Sequence, residues 1–459
     1  MQDADEISCV DLSLLPTTSS ELIISRLGIS TCLLLFSLVL VIPVNASNWT
    51  QCLIDVRSGA YLEGGRTNRG KYAPLDNNTI AISYPLCLAA CGSAPEAMQW
   101  TVFSQQFSSW LLPWLALVSQ LPFGANDKLD NLTATLLAVG SPTLAAYSLA
   151  LTVLNGRWIA RRFASSTYPN TRNAVRILDS LQQAPLRVVS EGPLLASLVV
   201  LPENDEWWAE LVVWLEYTYT WSISAATSIA WVVIAYIFTV VDSFTTDLVN
   251  GTIQSTGEAI GSAWVWLLPI VVGWLQISPK CDSVRLHQAV NRANQMAYIA
   301  AAKRHGEPQL ARDVASEYAV SLAVGPGDVV RRDEACTVPI FNYARFLSWV
   351  EAVETVANAF DAASENARRH KPVSGTWVKE KKPSPRPHEE NRVGCGDEVE
   401  EYCIKRGESL DDRRTAWGPN VWSRMFIASL LAILLQWGTL GGAVLAQWFT
   451  PTIGMTGWL

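Results

Sequence analysis

The sequence predicts an all-α, multi-spanning transmembrane helical protein of about five to seven membrane segments, with a lumenal loop and a mostly helical cytoplasmic insert. Three observations predict it. Long apolar stretches are set apart by polar loops, and several approach the ~20 residues that one helix needs to cross a bilayer. Only 17% of the 459 residues are charged and 49% are hydrophobic, whereas an ordinary soluble domain carries roughly 25% charge. The deficit is local: charge is sparse in the apolar stretches and dense between Lys280 and Arg414. The third observation is tryptophan, 20 in all. Trp100, Trp110, Trp158, Trp207, Trp208, Trp264, Trp422 and Trp448 flank the apolar runs. An indole ring favours the headgroup level, so these residues are expected to form an interfacial belt.

Residues 1–46 form an N-terminal tail and a signal or anchor segment. Its apolar part, Ile29 to Val44, ends in Val44-Asn45-Ala46, a small-residue ending that suits signal peptidase. The acidic residues before it (Asp3, Asp5, Glu6, Asp11, Glu21) are unlike a basic secretory leader. Cleaved signal and retained anchor both stay open.

Residues 47–108 read as a lumenal or extracellular cysteine-bearing loop. Asn48-Trp49-Thr50 and Asn77-Asn78-Thr79 are candidate N-glycosylation sequons. Cys52, Cys87 and Cys91 are disulfide candidates in an oxidising compartment. Helical spacing puts Cys87 and Cys91 on one face, but joining them needs close Cβ approach. A bridge from Cys52 to either is the alternative.

Residues 109–279 make the membrane domain, with spans near 109–123, 132–154, 218–241 and 260–278 and an arginine-rich loop at 155–192. The first of these is short and carries Pro113 and Pro122, so it reads as a kinked span or a half-membrane hairpin. The stretches Leu132–Leu154 and Thr218–Val241 read as full spans. The run Pro193–Leu201 is too short to cross alone. Glu216 is expected at the interface where the 218–241 span begins. Asn250-Gly251-Thr252, between the last two of these spans, is a third candidate sequon, Asn250 being its acceptor. Residues 421–459 hold the last span, Met425–Phe449, and a tail. Gly438 and Gly442 are spaced there for close helix contact.

Arginines set the orientation. Arg157, Arg161, Arg162, Arg172, Arg176 and Arg187 follow the 132–154 span, Lys280 and Arg285 follow the 260–278 span, and Arg413, Arg414 and Arg424 precede the last one. All three clusters are expected on the cytoplasmic side. A lumenal 47–108 loop then requires that the 109–123 segment be re-entrant. The other solution is an outside N-terminus and a cytoplasmic loop.

Residues 280–420 read as a cytoplasmic helical domain with a Pro/Lys-rich linker at 371–392. Val284–Lys303 and Arg345–His370 carry apolar residues at helical spacing. Cys281, Cys336, Cys395 and Cys403 lack the spacing of a zinc site and read as reduced thiols. No nucleotide, metal or cofactor motif is present, and no catalytic residue is assigned. Gly325-Pro326-Gly327-Asp328 is a turn, without the Gly-Lys-Ser/Thr of a phosphate loop. The net charge of -8 argues against nucleic acid as a partner.

Several stretches together resemble a family of uncharacterised multi-pass membrane proteins of filamentous fungi. They are Phe103-Ser-Gln-Gln-Phe107, Trp110-Leu-Leu-Pro-Trp114 through Phe123-Gly124, Leu201-Pro-Glu-Asn-Asp-Glu-Trp-Trp208, Gln276-Ile-Ser-Pro-Lys-Cys-Asp282 and Phe449-Thr-Pro-Thr452. Ile82-Ser-Tyr-Pro-Leu-Cys87 through Cys91-Gly92 is similar to that family's cysteine-bearing loop. The resemblance implies topology and no chemistry. Family members continue past Phe-Thr-Pro-Thr into further spans, so it also implies a shortened product here. The expected role is a sensor, scaffold or assembly partner, not an enzyme. Its expected partners are the lipid bilayer and other membrane proteins. A transporter or channel for a small solute is the alternative, with Pro113, Pro142 and Pro269 as helix breakers.

Overall fold

The computed structural model describes residues 107–121, 128–190, 192–216, 221–245, 262–303, 306–322, 336–379, 386–404 and 419–449, with scattered positions between 51 and 104. The chain divides into two units, residues 104–450 and a unit holding 1–103 and 451–459. In the latter, β1 (Gly65–Arg66) pairs antiparallel with β2 (Ala81–Ile82).

The larger unit is mostly helical. A π-helical turn, Phe107–Leu111, leads into α1 (Leu112–Val118). Then come α2 (Lys128–Gly140), α3 (Pro142–Arg162), α4 (Thr171–Ser180), α5 (Pro193–Val200), α6 (Asp205–Leu215) and α7 (Ile223–Thr245). After α8 (Leu267–Ile277) and α9 (Ser283–Asn294) follow α10 (Phe346–Arg368), α11 (Gly396–Cys403) and α12 (Pro419–Phe449). Two short antiparallel pairs interrupt the helices: β3 (Leu186–Val188) with β6 (Val320–Leu322), and β4 (Tyr298–Ile299) with β5 (Gln309–Leu310).

Two apolar cores organise the unit. The first gathers α4, α5, α6, α9, α10 and α11 around Trp207, Trp208, Trp349 and Phe360. Trp207, Trp208 and Phe360 meet edge to face, with centroids 4.7 and 5.4 Å apart, each contact worth about 0.5–1.5 kcal/mol beyond area burial. The second core gathers α1, α2, α7, α8 and the middle of α12 around Leu117, Trp266, Ile270 and Trp274. Helix α3 runs through both, and Tyr147 packs against each.

Several expectations need correction. Leu132–Leu154 is not one rod: α2 and α3 meet at a bend of 105°. Pro142 lacks the N–H that would continue α2, and the Ser141 hydroxyl accepts from Leu144 N at 3.4 Å to start a new helix. The arginine-rich loop at 155–192 is helical over much of its length, since α3 continues through Arg162 and α4 follows. Trp158, Trp207 and Trp208 are core residues rather than belt residues, because each ring is enclosed by the first core. Glu216 lies at the end of α6, where it pairs with Arg176 at 3.1 Å. The helix expected over Val284–Lys303 stops at Asn294, whose side chain donates to Val320 O at 2.9 Å while the chain turns into β4. Among the described residues nothing lies within 4 Å of where a Cβ on Gly438 would stand.

The helix expected at Arg345–His370 does form, as Phe346–Arg368. Its apolar stripe, Phe346, Trp349, Val353, Val356 and Phe360, is buried. It ends where His370 turns left-handed (φ 54), with Lys371 N donating to Asn366 O and His370 N to Ala367 O.

Candidate functional site

The described polar side chains converge where α3 joins the two cores. At its foot, Arg424 on α12 is 4% exposed. Its Nη1 donates to Asn155 Oδ1 at 2.5 Å, and its Nε donates to Asn420 O at 3.1 Å. The guanidinium lies over the Trp158 ring at 4.0 Å and the Phe346 ring at 5.0 Å. Asn155 Nδ2 donates to Gln182 Oε1, and Gln182 Nε2 donates to Asp179 Oδ1 at 2.8 Å. A chain of amides thus links a buried cation to a carboxylate on another helix. Such a network orders its members strongly, because each unmet partner is costly in a low-dielectric setting.

One turn on, Arg162 is gripped by α10. Its Nε donates to Glu354 at 2.7 Å, its Nη2 to Asn358 at 2.6 Å and its Nη1 to Asp361 at 2.7 Å. Residues 354, 358 and 361 follow helical spacing, so α10 presents one polar stripe to the end of α3. Ser166 Oγ also donates to Asp361, and the Ser364 hydroxyl accepts from the N–H groups of Thr167 and Tyr168.

Between the cores, the segment before α10 locks onto α3. Asn342 Nδ2 donates to Ser148 O and to Thr152 Oγ1, both at 2.7 Å, and Ser148 Oγ donates to Ile340 O at 2.6 Å. On the far side of the first core, Arg392 is 3% exposed. It donates to Val200 O, to Leu201 O and, through both Nη atoms, to Asp205. Burial works against that charge, yet the Asp205 hydrogen bonds and the Asp205 and Tyr168 contacts outweigh it and hold its pKa above the usual value. Burial raises the Tyr168 phenol well above its ordinary range, with Arg392 opposing.

Cys336, Cys395 and Cys403 carry free thiols, and Cys281 is buried. Burial pushes Cys336 up to about 11 and raises Cys403 further, so both stay protonated and poorly nucleophilic at neutral pH. Among the described residues no three of His, Cys, Asp and Glu are grouped to hold a metal ion. The expected sequon residues Asn48, Asn77 and Asn250, and the cysteines Cys52, Cys87 and Cys91, lie outside the described residues. Arg162 and Arg424 enter the sequence reading only as orientation signals. Their anchoring role has one sequence trace, the helical phase that separates Arg162 from Arg161.

No known family model, curated protein or solved structure matches the chain.

Proposed function

We propose that the chain is a multi-spanning integral membrane protein whose helical first core lies in the cytoplasm and acts as a sensor, scaffold or assembly partner for other membrane proteins. One observation carries this reading: large apolar side chains are turned outward on α12 and α7. On α12, Phe426 is 70% and Trp437 69% exposed, with Leu430, Leu431 and Leu434 also out. On α7, Trp231 is 62% exposed, with Ile223, Ile234, Ile237 and Phe238 beside it. Exposed apolar surface of this extent calls for lipid or a partner. Asn420–Gly441 is long and apolar enough to cross a membrane by itself. The bent pair α2–α3 and the shorter apolar helices Ile223–Phe238 and Trp264–Ile277 supply the remaining membrane segments of the proposal.

The scaffold reading is supported by what the buried polar groups do. Arg162, Arg392, Arg424 and Asn342 each tie one element to another. A rigid joint of this kind transmits or holds a position. The reading assigns the chain no catalysis. The 105° bend at Ser141 favours the second reading, a transporter or channel, since broken helices in membranes offer backbone groups to a solute.

Membrane integration is tested by alkaline carbonate extraction of membranes carrying the full chain. Retention in the pellet is the expected result, and release sinks the proposal. Topology is tested with N-glycosidase: a mobility shift that Asn48→Gln with Asn77→Gln abolishes supports a lumenal 47–108 loop, and no shift in the parent supports the opposite face. Solute uptake into liposomes containing the protein, absent from empty ones, would replace the scaffold with the transporter.

A further inference from the structure

We propose that Arg157 and Arg161, at the foot of α3 beside the first turn of α12, bind the phosphate of an anionic phospholipid in the leaflet nearest the first core. The inference rests on the membrane reading above and adds a ligand to it.

Helical phase divides the arginines that end α3. Arg162 turns inward onto Glu354 and Asp361 at 2.7 Å each. Arg157 and Arg161, one turn apart, are exposed. Arg161 Nε donates to Arg157 O at 3.2 Å, which holds its side chain back along the helix toward Arg157. Among the described residues neither guanidinium forms an ion pair.

A third guanidinium adds to them. Arg424 lies over Trp158, the residue between Arg157 and Ile159, and its Nη2 is buried without a hydrogen-bond partner among the described residues. Arg161 stands close enough to Arg424 for their charges to repel. Glu354 attracts Arg424, but its Oε2 already accepts from Arg162. Arg162 takes up the carboxylates of Glu354 and Asp361, and positive charge is left on the exposed side of α3, at Arg157 and Arg161.

The height of this cluster identifies the anion. Along α12 the change from polar to apolar exposure falls between Trp422, 60% exposed, and Phe426. In a bilayer that is the headgroup level, where indoles and phosphates lie together. The Arg424–Asn155 bond puts the last turns of α3 at the same level. A guanidinium pair offers a phosphate diester several charge-assisted donors. A zwitterionic headgroup brings its own cation to the cluster, so a lipid of net negative charge is preferred.

The test uses the purified full chain in detergent, with melting temperature as readout. Added phosphatidylglycerol is compared with phosphatidylcholine and with inorganic phosphate. Phosphatidylglycerol is expected to raise the melting temperature by roughly 2–4 °C over phosphatidylcholine, the scale of a ligand that binds only the folded state. Arg157→Gln with Arg161→Gln should lose that rise and leave the value in phosphatidylcholine unchanged, and Arg157→Lys with Arg161→Lys should keep part of it. Equal rises with both lipids, or an undiminished rise in the glutamine variant, overturn the proposal. An equal rise with inorganic phosphate assigns the site to a free anion and overturns the lipid. Carbonate extraction reads the membrane premise separately: a protein retained in the pellet without lipid selectivity loses this site alone, and a released protein loses both.

Discussion

Arg424 of α12 reaches Asn155 of α3 through a hydrogen bond of 2.5 Å, across 269 residues of sequence. The pair fixes the start of the longest exposed apolar helix to the helix that threads both cores. A hydrogen bond to a charged group contributes about 1.5–3 kcal/mol. A double-mutant cycle of Asn155→Ala with Arg424→Gln should therefore give a coupling of about that size, read from denaturant titrations in detergent. Additive effects would show that the bond is not what holds α12.

Arg392 offers a second measurement. Arg392→Ala leaves Asp205 without its guanidinium and removes the hydrogen bonds to Val200 O and Leu201 O. Breaking a buried pair from one side costs about 3–5 kcal/mol. Asp205 is partly open to water, so the lower end of that range is expected. A chemical denaturation midpoint equal to that of the parent would contradict the burial assigned to Arg392.

Histidine titration predicts a pH dependence. His287 on α9 is buried, and burial lowers its pKa below the usual 6.5. Between its folded value and 6.5 the unfolded chain binds the proton more readily. Stability from this residue is therefore complete above 6.5 and declines as pH falls from there toward the folded value. The melting temperature should fall between pH 8 and pH 5.5 by a larger amount in the parent than in His287→Leu, the difference between the two slopes being the His287 contribution.

Gly273 on α8 faces Leu149 on α3, and a Cβ at 273 would stand 2.5 Å from Leu149 Cδ2. A methyl can be met by a new Leu149 rotamer, whereas a branched side chain forces the helices apart. Gly273→Ala should cost about 1 kcal/mol or less, and Gly273→Ile about 1–3 kcal/mol. Thermal unfolding of the two variants, with Leu149→Ala added to each, checks the contact: the second change should rescue Gly273→Ile.

The helices were readable where periodicity is local. The stripe of Phe346, Val350, Val353, Ala357 and Phe360 marks α10, and the apolar run into Phe449 marks α12, because a 3.6-residue repeat is written in neighbouring residues. Pro142 carries the local reason for the break before α3, its missing N–H, yet the apolar run Leu132–Leu154 read as one span through it, because hydropathy does not register a bend. The joint was not readable. Asn155, Gln182 and Arg424 are ordinary polar residues in the sequence, and only folding brings them within hydrogen-bond reach.

Composition and local pattern thus determined that this chain is mostly helical and where its apolar helices lie. Tertiary structure decided which tryptophans are enclosed and which face outward, because burial depends on the partners that meet a helix face. It also decided which arginines are consumed by carboxylates. Arg161 and Arg162 are adjacent in sequence, but successive residues on a helix point about 100° apart. One meets the acidic stripe of α10 and the other does not.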